Sequence, residues 1–156
     1  MAFAKQIALV GFVVLLIAVV FLGIFPPGTP RIFLNQLRAV RSIEDVSLAE
    51  RKYAARHPET GYACNLSDLG EQGSEIGLVD RVLASGTESW YHFDIRCAQN
   101  GKQRATAYTI TALPVEPGHT GTYALCSDQR GEIWYSENGS AADCLETRKP
   151  IEQKYR

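Results

Sequence analysis

Residues 7–25 read IALVGFVVLLIAVVFLGIF and carry no charged side chain, and no other feature narrows so sharply what the chain can be. As a helix at ~1.5 Å per residue this run extends about 28 Å, close to the ~30 Å hydrocarbon thickness of a bilayer, so it is long enough to cross a membrane once. A secretory signal has a shorter apolar region, about 7–15 residues, followed by small residues at the cleavage point. Here Phe25, Pro26 and Pro27 follow instead, which speaks for a retained anchor. The expectation is a transmembrane anchor over residues 1–28 and one separate domain over 29–156, since about 126 residues beyond the run are enough for a single core.

Orientation is harder to read from charge. Lys5 precedes the run, whereas Arg31, Arg38 and Arg41 follow it, so the positive-inside rule opposes export of the larger part. Two features outweigh it: four cysteines in a small domain, and a translocated portion long enough that nearby charge loses its influence. The domain is therefore expected outside the cytoplasm. Across the chain 16 basic residues face 17 acidic ones, a balance that offers no basic surface for nucleic acid.

Cys64, Cys97, Cys126 and Cys144 contain no Cys-x-x-Cys pair and no histidine at finger spacing, which argues against zinc. An even count behind a membrane run implies two disulfides rather than buried thiols in a reducing compartment. Four cysteines allow three connectivities. The one favoured here joins Cys64 to Cys97 and Cys126 to Cys144, each worth roughly 3 kcal/mol by loop closure.

After the helix-stopping PPGTP, the segment RIFLNQLRAVRSIEDVSLAERKYAARHP spaces Phe33, Leu37, Val40, Ile43, Val46, Ala49 and Tyr53 by threes and fours. That spacing predicts a core-facing helix of about 24 residues ending near Pro58, with Arg41, Glu44, Arg51 and Lys52 opposite. GYACNLSDLGEQGSEIG reads as loop with a helical turn at residues 66–69. Residues 76–86 read as a short helix stopped by Gly86. The period then changes to two: Tyr91, Phe93, Ile95 and Cys97 alternate with polar neighbours, which marks a half-buried strand. NGK at 100–102 signals a hairpin into ATAYTITAL, and TYALCSD, QRG and EIWYS form another. The expected fold is α+β: a long N-terminal helix, part membrane span and part amphipathic, broken near Pro26–Pro30 and packed on a three- to four-stranded antiparallel sheet.

This order resembles a type IV pilin or a type II secretion pseudopilin. AVRSIEDVSLAERKYAARHPETGYAC, LSDLG, GLVDRVLASGTESWYHF, YTITALPVEPGHTGTYALCSDQRGEIWYS and AADCL are similar to stretches of bacterial pilin-like proteins of the G or H type, LCSDQRGEIWY being the most specific. The resemblance implies a pilin-like fold and a non-enzymatic, inner-membrane, single-pass subunit with a periplasmic domain, whose partners are the bilayer and other pilin-like or secretion-system subunits. In the family a peptidase cuts after a glycine, the next phenylalanine becomes the first residue, and a glutamate stands fifth. Gly11 and Phe12 fit that processing site, but Leu16 takes the place of the glutamate. A stand-alone anchored sensor or binding domain is the alternative function, and the leucine favours it, because the carboxylate that would pair with a neighbour inside the membrane is missing.

Nothing in the sequence assembles catalytic chemistry. His57 lies at a helix end, His92 on a strand and His119 in a Pro/Gly loop, all expected to be exposed, and there is no Gly-x-Ser-x-Gly elbow or phosphate loop. No enzyme and no resident cofactor are expected. Related major pseudopilins bind Ca²⁺, and Asp128, Glu137, Asn138 and Asp143 supply the hard oxygen donors such an ion takes, although turn formation and surface charge are the favoured explanation of these residues. The triplets at Asn65 and Asn138 are assigned no glycan. Of the aromatic pairs Trp90–Tyr91 and Trp134–Tyr135, at least one member each is expected to face outward, as a docking patch for a partner or carbohydrate or as a cross-strand contact.

Overall fold

The computed structural model describes residues 29–71, 76–98 and 104–153. The chain divides into two compact units, Met1–Arg31 and Ile32–Arg156; the sheet and the layers packed on it belong to the second. Helix α1 covers Thr29–Arg56. Pro30 sits in its first turn, where a missing N–H removes no helical hydrogen bond. The helix stops two residues before Pro58, whose ring disfavours helical geometry in the residue ahead of it.

The side of α1 that meets the sheet is rotated from the expected stripe. Ile43, Val46 and Ala49 are buried as the periodicity requires, joined by Gln36, Ala39, Ser42, Ser47 and Glu50, whereas Phe33 and Leu37 are turned out. Hydrogen bonding explains the rotation at the N-terminal half. Asn35 Nδ2 donates to Thr120 O at 2.9 Å, and Gln36 Oε1 accepts from Thr122 N at 3.3 Å, so the polar row is drawn against the loop 115–123.

Two one-turn helices follow, α2 (Leu66–Leu69) and α3 (Arg81–Ala84). α3 is shorter than expected, because Asp80 caps it by accepting from Val82 N and Leu83 N, which fixes its start. Gly86, at φ +86°, ends the segment as its position predicts.

The sheet has six strands in sequential antiparallel order: β1 (Thr87–Glu88), β2 (Tyr91–Cys97), β3 (Tyr108–Pro114), β4 (Ala124–Asp128), β5 (Ile133–Ser136) and β6 (Lys149–Pro150). This corrects the expected three or four strands. The additions are two-residue edge strands, too short to carry a period-two pattern. β1 turns into β2 through Ser89 and Trp90, both at positive φ, without the Asn-Gly or Asp-Gly that normally announces such a turn. β6 contains Pro150, which demotes a strand reading from sequence. Helix α4 (Ala141–Thr147) lies between β5 and β6. The expected NGK hairpin falls outside the described residues.

The expected long apolar N-terminal helix is not found among the described residues, where no helix is long and apolar enough to cross a membrane. Residues 7–25 and the break at Pro26–Gly28 lie outside the described residues.

One face of the sheet, through Tyr91, Phe93, Ile95, Ile110, Ala112, Leu125 and Tyr135, forms a continuous core with Ala39, Ile43, Val46 and Ala49 of α1. On the other face Cys126, Trp134 and Cys144 form a second, small core with Leu145 of α4. All five residues of β4 are buried in consequence.

Candidate functional site

The helix that closes the core also presents an apolar surface to solvent. Leu34, Leu37 and Leu48 are 48%, 39% and 44% exposed. Leu34, Leu37, Arg41, Glu44 and Leu48 succeed one another by three and four residues, the spacing of a heptad seam, on the side of α1 away from the sheet. Arg38, Arg41 and Glu44 form no ion pair among the described residues.

Beside this face runs an open groove of about 460 Å³ between α1 and the β5–β6 edge, lined by Val40, Ile133, Trp134, Pro150 and Ile151, with Glu44, Glu132 and Glu152 among them. A second depression of about 350 Å³, lined by Leu34, Leu37, Arg38, Val40, Arg41 and Glu44, shares Val40 and Glu44 with it. The apolar floor and carboxylate rim give the groove the character of a site for a cationic, partly apolar segment.

Behind α1 lies a different chemistry. Glu50 is 0% exposed. Its Oε2 accepts from Ala63 N at 2.9 Å, and Oε1 has no partner among the described residues. Burial pushes its pKa up to about 7; the Ala63 bond pulls it down in part, and Asp68 raises it further. Tyr108 is pushed up to about 12, again by burial first, with Ser47 drawing it back and Glu50 adding to the rise. Glu50 thus clamps the loop that leads into Cys64 onto the helix, and periodicity had given no reason to look for a buried carboxyl there.

The cysteines pair as favoured from the sequence, Cys64 with Cys97 and Cys126 with Cys144. The first bridge ties the loop after α1 to the end of β2, the second ties α4 to β4. Two disulfides fit an oxidising, extracytoplasmic environment. Gly11 and Phe12 lie outside the described residues.

The four calcium candidates do not come together. Asp128 is buried and held by the Arg130 fork at 2.9 Å and by Arg148 at 3.8 Å. Burial pushes its carboxyl up, but the Arg130 side chain and backbone N–H, with Arg148, more than offset this and leave it below the ordinary carboxylate range. Asn138 and Asp143 do meet, through Ser136: its Oγ lies 2.5 Å from Asn138 Oδ1 and 2.6 Å from Asp143 Oδ2. Asn138 Oδ1 also accepts from Ser140 N, and Glu137 is exposed. Among the described residues no group of three or more His, Cys, Asp or Glu side chains is placed to hold a metal ion. His57, His92 and His119 are exposed and far apart in sequence; His57 stacks on Tyr53 at 4.3 Å and His92 Nδ1 lies 2.9 Å from Thr87 Oγ1.

Of the aromatics, Trp90 is 61% exposed at the β1–β2 turn and Tyr91 is buried. Trp134 and Tyr135 point to opposite faces yet both are buried, which corrects the expected outward member. The reason is α4, which covers the Trp134 side, where Arg148 and Arg130 also stack at 4.9 and 5.5 Å from the ring. No protein-family model, curated protein or solved structure matches the chain.

Proposed function

We infer that the chain is a membrane-anchored structural subunit of the pilin-like or pseudopilin-like kind, acting through protein–protein contacts in a type IV pilus or type II secretion assembly. One observation carries this reading: the outward face of α1 keeps Leu34, Leu37 and Leu48 open to solvent while the opposite face is engaged with the sheet. A helix used on both sides is what a subunit needs when its fold is complete and its neighbour is another protein. The disulfides support a periplasmic domain, and the apolar run at residues 7–25 supports a single-pass inner-membrane anchor. The subunit is read as non-enzymatic, with no resident cofactor.

A second reading, an anchored binding or sensor domain that stands alone, draws on Trp90. Two consecutive non-glycine residues at positive φ, Ser89 and Trp90, cost roughly 1–2 kcal/mol each, and they hold a large aromatic ring out to solvent. Extraction of the full chain in mild detergent separates the two. Sedimenting oligomers or co-purifying secretion subunits support the first reading; a monodisperse monomer that purifies alone overturns it in favour of the second.

A further inference from the structure

We propose that the acidic groove between α1 and the β5–β6 edge receives the Leu34–Arg41 stretch of α1 from a second copy of this chain, displaced along the helix axis. The proposal rests on the assembly reading above and names the surface through which assembly proceeds.

The two halves of the contact lie side by side on one molecule. The groove offers Glu44, Glu132 and Glu152 around an apolar floor of Val40, Ile133, Pro150 and Ile151, and no cation lines it among the described residues. The adjoining stretch of α1 offers the exposed guanidiniums of Arg38 and Arg41 beside the exposed Leu34 and Leu37. Arginine is the cation suited to this task, since its planar fork pairs with carboxylates while its stem covers apolar surface.

The pattern of charge then selects the register. Two parallel copies paired in register along the seam Leu34, Leu37, Arg41, Glu44, Leu48 set Arg41 against Arg41 and Glu44 against Glu44, like charges in direct opposition. Sliding one copy by about one turn, the ~4.5 Å that separates Arg41 from Glu44 on a helix, sets Arg41 opposite Glu44 and carries Arg38 and Arg41 toward the groove. Such a contact is heterologous: a different patch serves on each partner, so when two copies pair, one is left with its groove free and the other with its Leu34–Arg41 stretch free. It therefore propagates as a row instead of closing as a dimer.

The test uses the full chain in its membrane, with a photo-cross-linking residue replacing the exposed Leu37 and with mixed light and heavy isotope-labelled copies. The expected result is a cross-link between copies, to peptides carrying Glu132–Trp134 or Pro150–Glu152. Two charge reversals refine it. Arg38→Glu with Arg41→Glu in one copy, or Glu132→Lys with Glu152→Lys in the other, should each lower the cross-link yield at least about fivefold, the scale of two exposed ion pairs. Mixing the two reversed copies should restore it. All four residues are exposed, so folding is retained, and an unchanged near-ultraviolet dichroism spectrum checks this. Cross-links between copies to another surface overturn the groove and leave the assembly reading standing. Capture of residues 154–156 of the same copy, or of a different protein, overturns the second copy as occupant. No cross-link between copies, from a chain that sediments as a monomer, overturns both.

Discussion

Replacing Glu50 by glutamine should remove the loss of stability that this one carboxyl imposes as pH rises. Glu50 is fully buried, and its pKa rises from 4.5 to about 7 on folding. A folded carboxyl with a raised pKa holds its proton more tightly than the unfolded chain does. Its contribution is fully present below the unfolded pKa, declines as pH rises between about 4.5 and 7, and stays lost above that. A difference of about 2.5 in pKa at ~1.36 kcal/mol each gives about 3 kcal/mol across the window. The amide introduced by the replacement keeps the acceptor for Ala63 N and cannot ionise. Glu50→Gln should therefore be close to neutral at pH 4.5 and stabilising by about 3 kcal/mol at pH 8 relative to the natural chain. Urea titrations of both proteins in the same detergent at the two pH values measure this. Taking the difference between them cancels the other carboxylates, including Asp128. A substitution effect equal at both pH values would refute the buried-carboxyl reasoning.

Asp128→Asn should cost about 2 kcal/mol at neutral pH, the scale of a charge-assisted hydrogen bond lost from a buried site. The carboxyl's pKa is lowered on folding, so the natural chain should lose the same contribution as pH falls through and below the carboxylate range; thermal melts at pH 7 and 3 compare the two. Gly121→Ala drives a Cβ into the ring and Oη of the buried Tyr91 and should destabilise by about 2–3 kcal/mol in urea titrations. Denaturing the natural chain without reductant should expose no titratable thiol. By loop closure, Cys126→Ser with Cys144→Ser should cost about 3 kcal/mol, and Cys64→Ser with Cys97→Ser somewhat more because its loop is longer.

Wherever a pattern ran long enough, the sequence carried the fold. The successive turns of α1 and the alternation in β2 were legible because burial on one face repeats the same choice many times. The rotation of α1 was not, because it is set by single hydrogen bonds from Asn35 and Gln36 to a loop 85 and 86 residues away. β1 and β6 escaped because two residues cannot show a period, and because Ser89–Trp90 adopts a turn that its residue types disfavour. α4 left a local sign, Ser140 capping Asp143 N at 3.3 Å, the spacing of a helix start. Missing α4 hid the second core, and so made one of Trp134 and Tyr135 look like an outward residue.

The candidate site was legible only in pieces. Glu44 and Arg41 were placed correctly on the outer face of α1, but Leu37 was assigned to the core, since a helix with leucines on two sides offers two stripes and periodicity cannot choose between them. Glu132 and Glu152 lie 20 residues apart and meet Glu44 in the groove's lining only through the pairing of β5 with β6. Glu50 could be found only by asking which side of α1 faces the sheet.

On the reading proposed above, the outer face of α1 is made for another protein chain. Sedimentation velocity of the full chain in mild detergent, over a hundredfold range of concentration, addresses it most directly. Species larger than one chain should grow as concentration rises, and should be suppressed when Leu34 and Leu37 are both replaced by serine. A single monomeric boundary at every concentration, unchanged by those replacements and with no companion protein, would contradict that reading.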